Sequence, residues 1–154
     1  MDNALTMLEG TKLAEDTVDH FNSFLRGELS AVETYRQALE KITDSGISAT
    51  LRECQTSHQE RVALLTEAIR RLGGEPSKSS GAWGAFAKMI EGSAKAFGER
   101  AAIAALEEGE DHGLADYRRE LADLDPTARK FVETSLLPDQ ERTHASMSAL
   151  KRVH

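Results

Sequence analysis

The chain has 154 residues, of which 29% are charged and 5% aromatic, and its formal net charge is −7. This length suits one domain with a single core, and the abundance of Ala, Leu, Glu and Arg favours helix over sheet. The acidic balance, without a concentrated run of Lys and Arg, argues against nucleic acid as a partner.

Three features predict a cytoplasmic protein. The first residues have neither the basic start nor the apolar run of a secretory signal. No stretch of the sequence approaches the roughly 18 apolar residues of a membrane span. The single cysteine, Cys54, fits a reducing compartment, and we expect it to be a small buried hydrophobe. From the length of the chain we expect one domain over residues 1–154, with residues 1–15 weakly ordered.

The first predicted helix begins near Thr17. Its apolar positions are spaced by three and four residues, as on one face of a helix, and Glu28 lies among them. The stripe comprises Phe21, Phe24, Glu28, Ala31, Tyr35, Ala38 and Ile42. A turn signal at residues 43–46 then closes the helix.

The second predicted helix spans about residues 48–72 and ends at a Gly-Gly pair. Its inward stripe comprises Leu51, Gln55, His58, Val62, Leu65, Ile69 and Leu72. Gln55 and His58 therefore both face the core, where polar side chains need partners.

Residues 73–98 form a long connection. Within it, Trp83 to Phe97 has the spacing of a short amphipathic helix. Its polar face lacks the Lys/Arg enrichment of a membrane-surface helix. We expect its apolar face to cover the bundle or a sister subunit, and we expect a homo-oligomer.

The third predicted helix spans about residues 99–124. Glu107 and Glu110 stand three residues apart on its inward stripe, which comprises Ile103, Glu107, Glu110, Leu114, Tyr117 and Leu121. Two carboxylates on an otherwise apolar face are costly unless something compensates their charge.

The last predicted helix starts at Asp125-Pro126, an N-cap followed by proline, and runs nearly to the end of the chain. Pro138 predicts a kink because it has no backbone N–H to donate. Glu141 follows one turn later and His144 a further turn on, and we place both on the inward stripe.

A repeated pattern predicts the architecture. Gly-Glu, six residues, Tyr-Arg, two residues and Leu occur twice, as Gly27-Glu28, Tyr35-Arg36, Leu39 and as Gly109-Glu110, Tyr117-Arg118, Leu121. A histidine follows each copy in a comparable place, His58 and His144. A short turn follows each copy, near residues 44 and 124, and a long connection separates the two halves of the chain. These lengths predict an all-α, ferritin-like four-helix bundle of two antiparallel hairpins joined by a crossover.

Inward acidic and imidazole side chains from all four helices predict a metal site at mid-height. The predicted ligands are Glu28, His58, Glu110, Glu141 and His144. Without Lys or Arg on the same stripes, these carboxylates need a cation, and iron, manganese or zinc suits a mixed Glu/His set.

Two-metal bundles combine one Glu from each of two helices with Glu-x-x-His from each of the others. Glu141-x-x-His144 fits, whereas Gln55 puts an amide where His58 needs a partner carboxylate. Glu107 could substitute for it. A di-metal oxidase is thus open but weakened.

The alternative is a closed polar network that holds no metal. In such a network Glu, Gln, His and Tyr side chains satisfy one another. Because Tyr35 and Tyr117 lie two turns from the glutamates, we expect them to be core residues with a hydrogen-bonding tip, not members of the site.

The chain resembles a ferritin-like four-helix-bundle family of bacterial proteins classed as a domain of unknown function. The likeness covers the chain from about residue 15. It rests on Arg26-Gly27-Glu28-Leu29-Ser30, Arg70-Arg71-Leu72-Gly73-Gly74-Glu75-Pro76, Ser80-Gly81-Ala82-Trp83-Gly84 and Leu106-Glu107-Glu108-Gly109-Glu110. The resemblance implies a ferritin-like bundle that oligomerises. We expect a metal-binding protein for iron handling or stress; the alternative is a metal-free scaffold or interaction protein.

Overall fold

The computed structural model describes residues 12–80 and 98–154. Five α-helices lie in these residues: α1 (Lys12–Lys41), α2 (Ser45–Arg71), α3 (Glu99–Glu120), α4 (Pro126–Phe131) and α5 (Leu137–Val153). A 3₁₀ turn (Leu121–Asp123) follows α3, and a π turn (Val132–Leu136) joins α4 to α5 into one rod. The chain is thus an all-α four-helix bundle, as predicted.

Caps and glycines set the helix ends. The Asp44 side chain accepts a hydrogen bond from the N–H of Ile47 at 2.9 Å, which starts α2. Asp125 caps α4 in the same way, with Pro126 at the first helical position. Gly73 ends α2 in the left-handed region, with φ of +80°.

Two sequence predictions concern the start of α1 and the connection between the hairpins. Helix α1 begins at Lys12, five residues before the start that the sequence predicted near Thr17. Residues 1–11 lie outside the described residues, and so does the predicted helix from Trp83 to Phe97.

A polar layer divides the core into two apolar clusters. One cluster contains Tyr35, Ala38, Ile42, Ile47, Leu51, Cys54, Ala102, Ile103, Leu106 and Met147. The other contains Phe21, Phe24, Leu25, Leu65, Ile69, Leu72, Tyr117, Leu124, Ala128, Val132 and Leu136. Cys54 is free and buried, as expected of a small core residue. Polar groups between the clusters must find partners within the protein.

The π turn keeps the inward positions of the second hairpin equivalent to those of the first. The capping residues Asp44 and Asp125 lie 81 positions apart, whereas the glutamates Glu28 and Glu110 lie 82 apart. A π turn holds one residue more than an α turn. It therefore absorbs the difference, directly before the Pro138 at which the sequence predicted a kink.

Within residues 12–80 and 98–154, no helix combines the length and the apolar character that crossing a membrane requires.

Candidate functional site

His58 joins two glutamates at the centre of the bundle. Its Nδ1 lies 2.5 Å from Oε1 of Glu28, and its Nε2 lies 2.8 Å from Oε2 of Glu110. The side chains of all three residues are at most 4% exposed. Because both ring nitrogens face carboxylate oxygens, both donate, and the ring is an imidazolium. Three of the seven residues that the sequence offered as ligands thus meet at the centre.

Arg61 supplies a second internal cation. Its side chain is fully buried, and Nη1 lies 3.3 Å from Oε2 of Glu28. The guanidinium also donates to Oε1 of Gln140 and, at 3.1 Å, to Oγ1 of Thr143. The prediction that the inward stripes carry no Lys or Arg is therefore wrong. Arg61 follows His58 by three residues, so helical spacing alone could have placed it on this face.

Both tyrosines, which we expected to be core residues outside the site, donate to the central glutamates. Tyr35 donates its phenol hydrogen to Oε2 of Glu110 at 2.5 Å, and Tyr117 donates to Oε2 of Glu28 at 2.6 Å. Each phenol thus reaches the glutamate of the other hairpin. Distance along its own helix was the wrong criterion, because the partner stands on a neighbouring helix.

The charges in this network stabilise one another. Burial opposes ionisation of Glu110, but His58 and the hydrogen bonds from Tyr35 and Thr143 outweigh it and lower the pKa of Glu110 to about 2. Burial likewise opposes the imidazolium, yet Glu28 and Glu110 raise the pKa of His58 above 6.5. The pKa of Glu28 is lowered too, since Arg61 and His58 overcome its burial. Two carboxylates and two cations therefore share the centre.

Gln140 and Thr143 occupy the fourth side of the centre, where Glu141 and His144 were predicted. Gln140 Nε2 and Thr143 Oγ1 donate to Oε1 of Glu110 at 3.0 and 2.7 Å. The offset of 82 residues between Glu28 and Glu110 also separates His58 from Gln140, whereas pairing His58 with His144 breaks it. Strict use of the repeat would have found Gln140.

Two predicted ligands lie away from the centre altogether. Glu141 is 50% exposed, and its Oε2 lies 3.2 Å from Nη2 of Arg118. Gln55 is half-buried and donates from Nε2 to the Val32 carbonyl at 3.2 Å. Neither faces the network, since the inward residues of their helices fall at neighbouring positions.

The remaining two predicted ligands meet at the side of the bundle instead, with Asp111. Glu107, Asp111 and His144 each offer one ligand atom, and these atoms lie within 4.8 Å of one another. His144 Nε2 contacts Oδ1 of Asp111 and lies 3.7 Å from Oε2 of Glu107. Lys151 donates to the other Glu107 oxygen at 3.1 Å. We call these three ligand residues the side group.

A narrow cleft of about 50 Å³ leads to the centre between α1 and α3. Its lining includes five small residues, Gly27, Ser30, Ala31, Gly109 and Gly113. At Gly113 an added Cβ would lie 2.9 Å from Nε2 of Gln140, so glycine permits the close approach of that amide.

The sequence profile of a family described as a domain of unknown function (DUF2383) matches residues 16–123. The chain belongs to this family. No curated protein matches the sequence.

A solved structure with a similar fold is described as ferritin-like, diiron-carboxylate proteins from Bacillus anthracis str. Ames. The alignment has a TM-score of 0.63, covers 93% of this chain and 95% of that one, and shows 16% sequence identity. This likeness establishes the ferritin-like fold, and the chemistry has to be argued from the residues of this chain.

The central residues do not fit a two-metal centre. Such a centre takes four carboxylates and two histidines, whereas this network offers two carboxylates and one histidine. Arg61 places a guanidinium against Glu28, and hydrogen-bond donors of the protein approach every oxygen of Glu28 and Glu110. A metal ion would have to displace these donors and share the space with two cations.

Proposed function

We propose that this family member is a ferritin-like bundle that binds one divalent metal ion at its side, through Glu107, Asp111 and His144. Iron, manganese and zinc all accept a mixed carboxylate and imidazole set. On this proposal the ion binds at the surface between α3 and α5, not at the bundle centre.

The observation that carries the proposal is a change of chemistry between equivalent positions of the two hairpins. Counting 82 residues back from Glu107, Asp111, His144 and Lys151 leads to Leu25, Leu29, Val62 and Ile69. All four of the earlier residues pack in or against the apolar core. A fold that accepts aliphatic side chains here has no structural need for charged ones, and charged groups at such positions indicate function.

The local geometry supports one ion. The Glu107 side chain is 10% exposed and anchored through Oε1 by Lys151, which leaves Oε2 directed at His144. Asp111 follows Glu107 by four residues, so both carboxylates project from one face of α3. An ion would take the place of the proton between His144 and Asp111, and the exposure of Asp111 leaves room for water as the remaining ligands.

Metal titration of chelator-treated protein tests the proposal. Zn²⁺, Mn²⁺ and, without oxygen, Fe²⁺ should each bind at about one ion per chain, with zinc tighter than iron or manganese. Glu107→Gln or His144→Gln should weaken binding by at least roughly 10- to 100-fold, the loss that follows even when only a partner of a metal ligand is removed.

Glu141→Gln is the matched control. Glu141 stands three residues before His144 on the same helix, but it is exposed and pairs with Arg118. Its loss should leave affinity unchanged. Equal weakening by Glu141→Gln and His144→Gln, or no binding by the native chain, would rule out the side group.

A metal-free scaffold is the second candidate, and the central network favours it. The protein itself compensates the charges of Glu28 and Glu110, so the bundle needs no ion to fold. If this candidate holds, chelator treatment leaves the thermal midpoint unchanged and no added metal raises it.

Role, assembly and compartment are also part of the proposal. A role in iron handling would require Fe²⁺ to be the ion that the protein carries on purification from cells. The family resemblance supports a homo-oligomer, which light scattering of the full chain tests. A cytoplasmic location agrees with the buried, free thiol of Cys54.

A further inference from the structure

We infer that the centre of this bundle is a two-metal arrangement in which protein cations have replaced the metal ions, with Arg61 and His58 supplying the positive charge. In the two-metal arrangement, the second helix of each hairpin carries Glu-x-x-His. The inward pairs with that spacing here are His58-x-x-Arg61 and Gln140-x-x-Thr143.

The contacts show that these four residues stand at ligand positions. His58 reaches both Glu28 and Glu110, and Arg61 lies 3.3 Å from Glu28. Gln140 and Thr143 both donate to Glu110. All four surround the same two carboxylates that would be the lone glutamates of a metal centre.

The two pairs are also equivalent within the repeat. Arg61 and Thr143 are 82 residues apart, as are His58 and Gln140 and as are the two glutamates. Six positions of a two-metal pattern are therefore in place, and four of them carry other side chains. A guanidinium and an imidazolium balance two carboxylates, so this combination leaves no buried charge unpaired.

The cleft beside the centre leaves room for the solvent ligands of a metal ion, so substituting the four residues should restore metal binding. Its volume of about 50 Å³ lies directly against Glu28, His58 and Glu110. That is room for one or two solvent molecules, which open metal sites require.

The first experiment uses the full chain with the side group removed, Glu107→Gln/His144→Gln, so that metal at the centre is counted separately. This protein is loaded with Fe²⁺ or Mn²⁺ without oxygen, desalted and analysed for metal. We expect less than about 0.1 ion per chain, because the central carboxylates already have cationic partners. One or two ions per chain, lost on adding Glu28→Gln, would overturn the inference.

The second experiment adds His58→Glu, Arg61→His, Gln140→Glu and Thr143→His to the same background. We expect about two ions per chain and a metal-dependent rise of the thermal midpoint by roughly 10 °C or more. Adding Glu28→Gln and Glu110→Gln provides the control and should abolish both effects.

A folded four-substitution variant that binds no metal would contradict the inference. If the four-substitution variant is not helical with or without metal, the metal content of the Glu107→Gln/His144→Gln protein alone tests the inference. Failure of the side group to bind metal in native protein leaves this result unaffected, because both experiments lack that group.

Discussion

The two hairpins place their charged residues in opposite regions. The first hairpin directs Glu28, His58 and Arg61 to the centre, and it fills its side with aliphatic residues such as Leu25 and Ile69. Of the described residues of the second hairpin, Glu110 is the one that brings a charge to the centre, whereas Glu107, Asp111, His144 and Lys151 lie together at the side. Equivalent positions thus share a backbone geometry but not a chemistry.

This difference shows that equivalent positions of a repeated bundle can carry residues of different chemistry. The apolar layers above and below the centre hold the helices in register. One copy can then exchange a buried residue for a charged one while the other copy keeps the packing. The charges at the centre are closed off by the protein, whereas those at the side reach the surface.

The largest expected effect comes from removing the central cation. Arg61→Met should destabilise the protein by about 3–5 kcal/mol, because it leaves Glu28 buried beside a single remaining cation. Adding Glu28→Gln should recover a large part of the loss. Urea unfolding measures both changes. Arg71→Met, on an exposed arginine of the same helix, should change stability by less than about 0.5 kcal/mol. A loss of only this size for Arg61→Met would contradict the central role.

The pH dependence of stability should mainly reflect the buried ionisable groups at the centre. The pKa of Glu110 falls from 4.5 to about 2 on folding, so its stabilisation is present above pH 4.5 and is lost as the pH falls towards 2. The pKa of His58 rises above 6.5, so its stabilisation is complete below pH 6.5 and is lost as the pH rises through the raised value. The free energy of unfolding should therefore be greatest between about pH 4.5 and 6.5. His58→Gln should remove the alkaline decline, whereas His112→Gln, on an exposed side chain, should preserve it.

Replacing the charged residues at the side of the second hairpin by the aliphatic residue types at the equivalent positions of the first tests the comparison directly. The variant carries Glu107→Leu, Asp111→Leu, His144→Val and Lys151→Ile. It should be more stable by roughly 1–3 kcal/mol, as when apolar residues replace a partly buried ion pair, and it should lose metal binding. Thermal unfolding and metal titration measure the two outcomes. A less stable variant would mean that the two sides are not equivalent.

The smallest expected effect concerns Lys151, which lies against the same carboxylate as the proposed ion. Lys151→Met removes a competing cation and should tighten metal binding about 3- to 10-fold. Arg152→Met, at the adjacent exposed position, serves as the control and should change affinity by less than a factor of about 2. Weaker binding in the Lys151 variant would show that the lysine helps to place Glu107.

The sequence predicted the helices and the bundle because periodicity and capping are local signals. It also placed Glu28, His58 and Glu110 at one height, since counting from the turns measures distance along the helices. It did not predict the inward position of Arg61, because arginine is rarely buried unless paired, and the pair forms only on folding. The choice of Glu141 and His144 followed a familiar ligand spacing instead of the repeat. The contacts of Tyr35 and Tyr117 cross between hairpins, which no count within one helix reveals.

The π turn at residues 132–136 allows this helix to contain one extra residue without changing which side chains face the core. Adding one residue to a regular helix rotates every later side chain by about 100°, which here would turn Gln140 away from Glu110. The π turn confines the extra residue to five positions ahead of Pro138. Deleting a single exposed residue such as Thr134 should therefore remove the π turn and keep Gln140 and Thr143 on the inner face. The same deletion at Ser146, beyond the turn, would move Met147 out of the core.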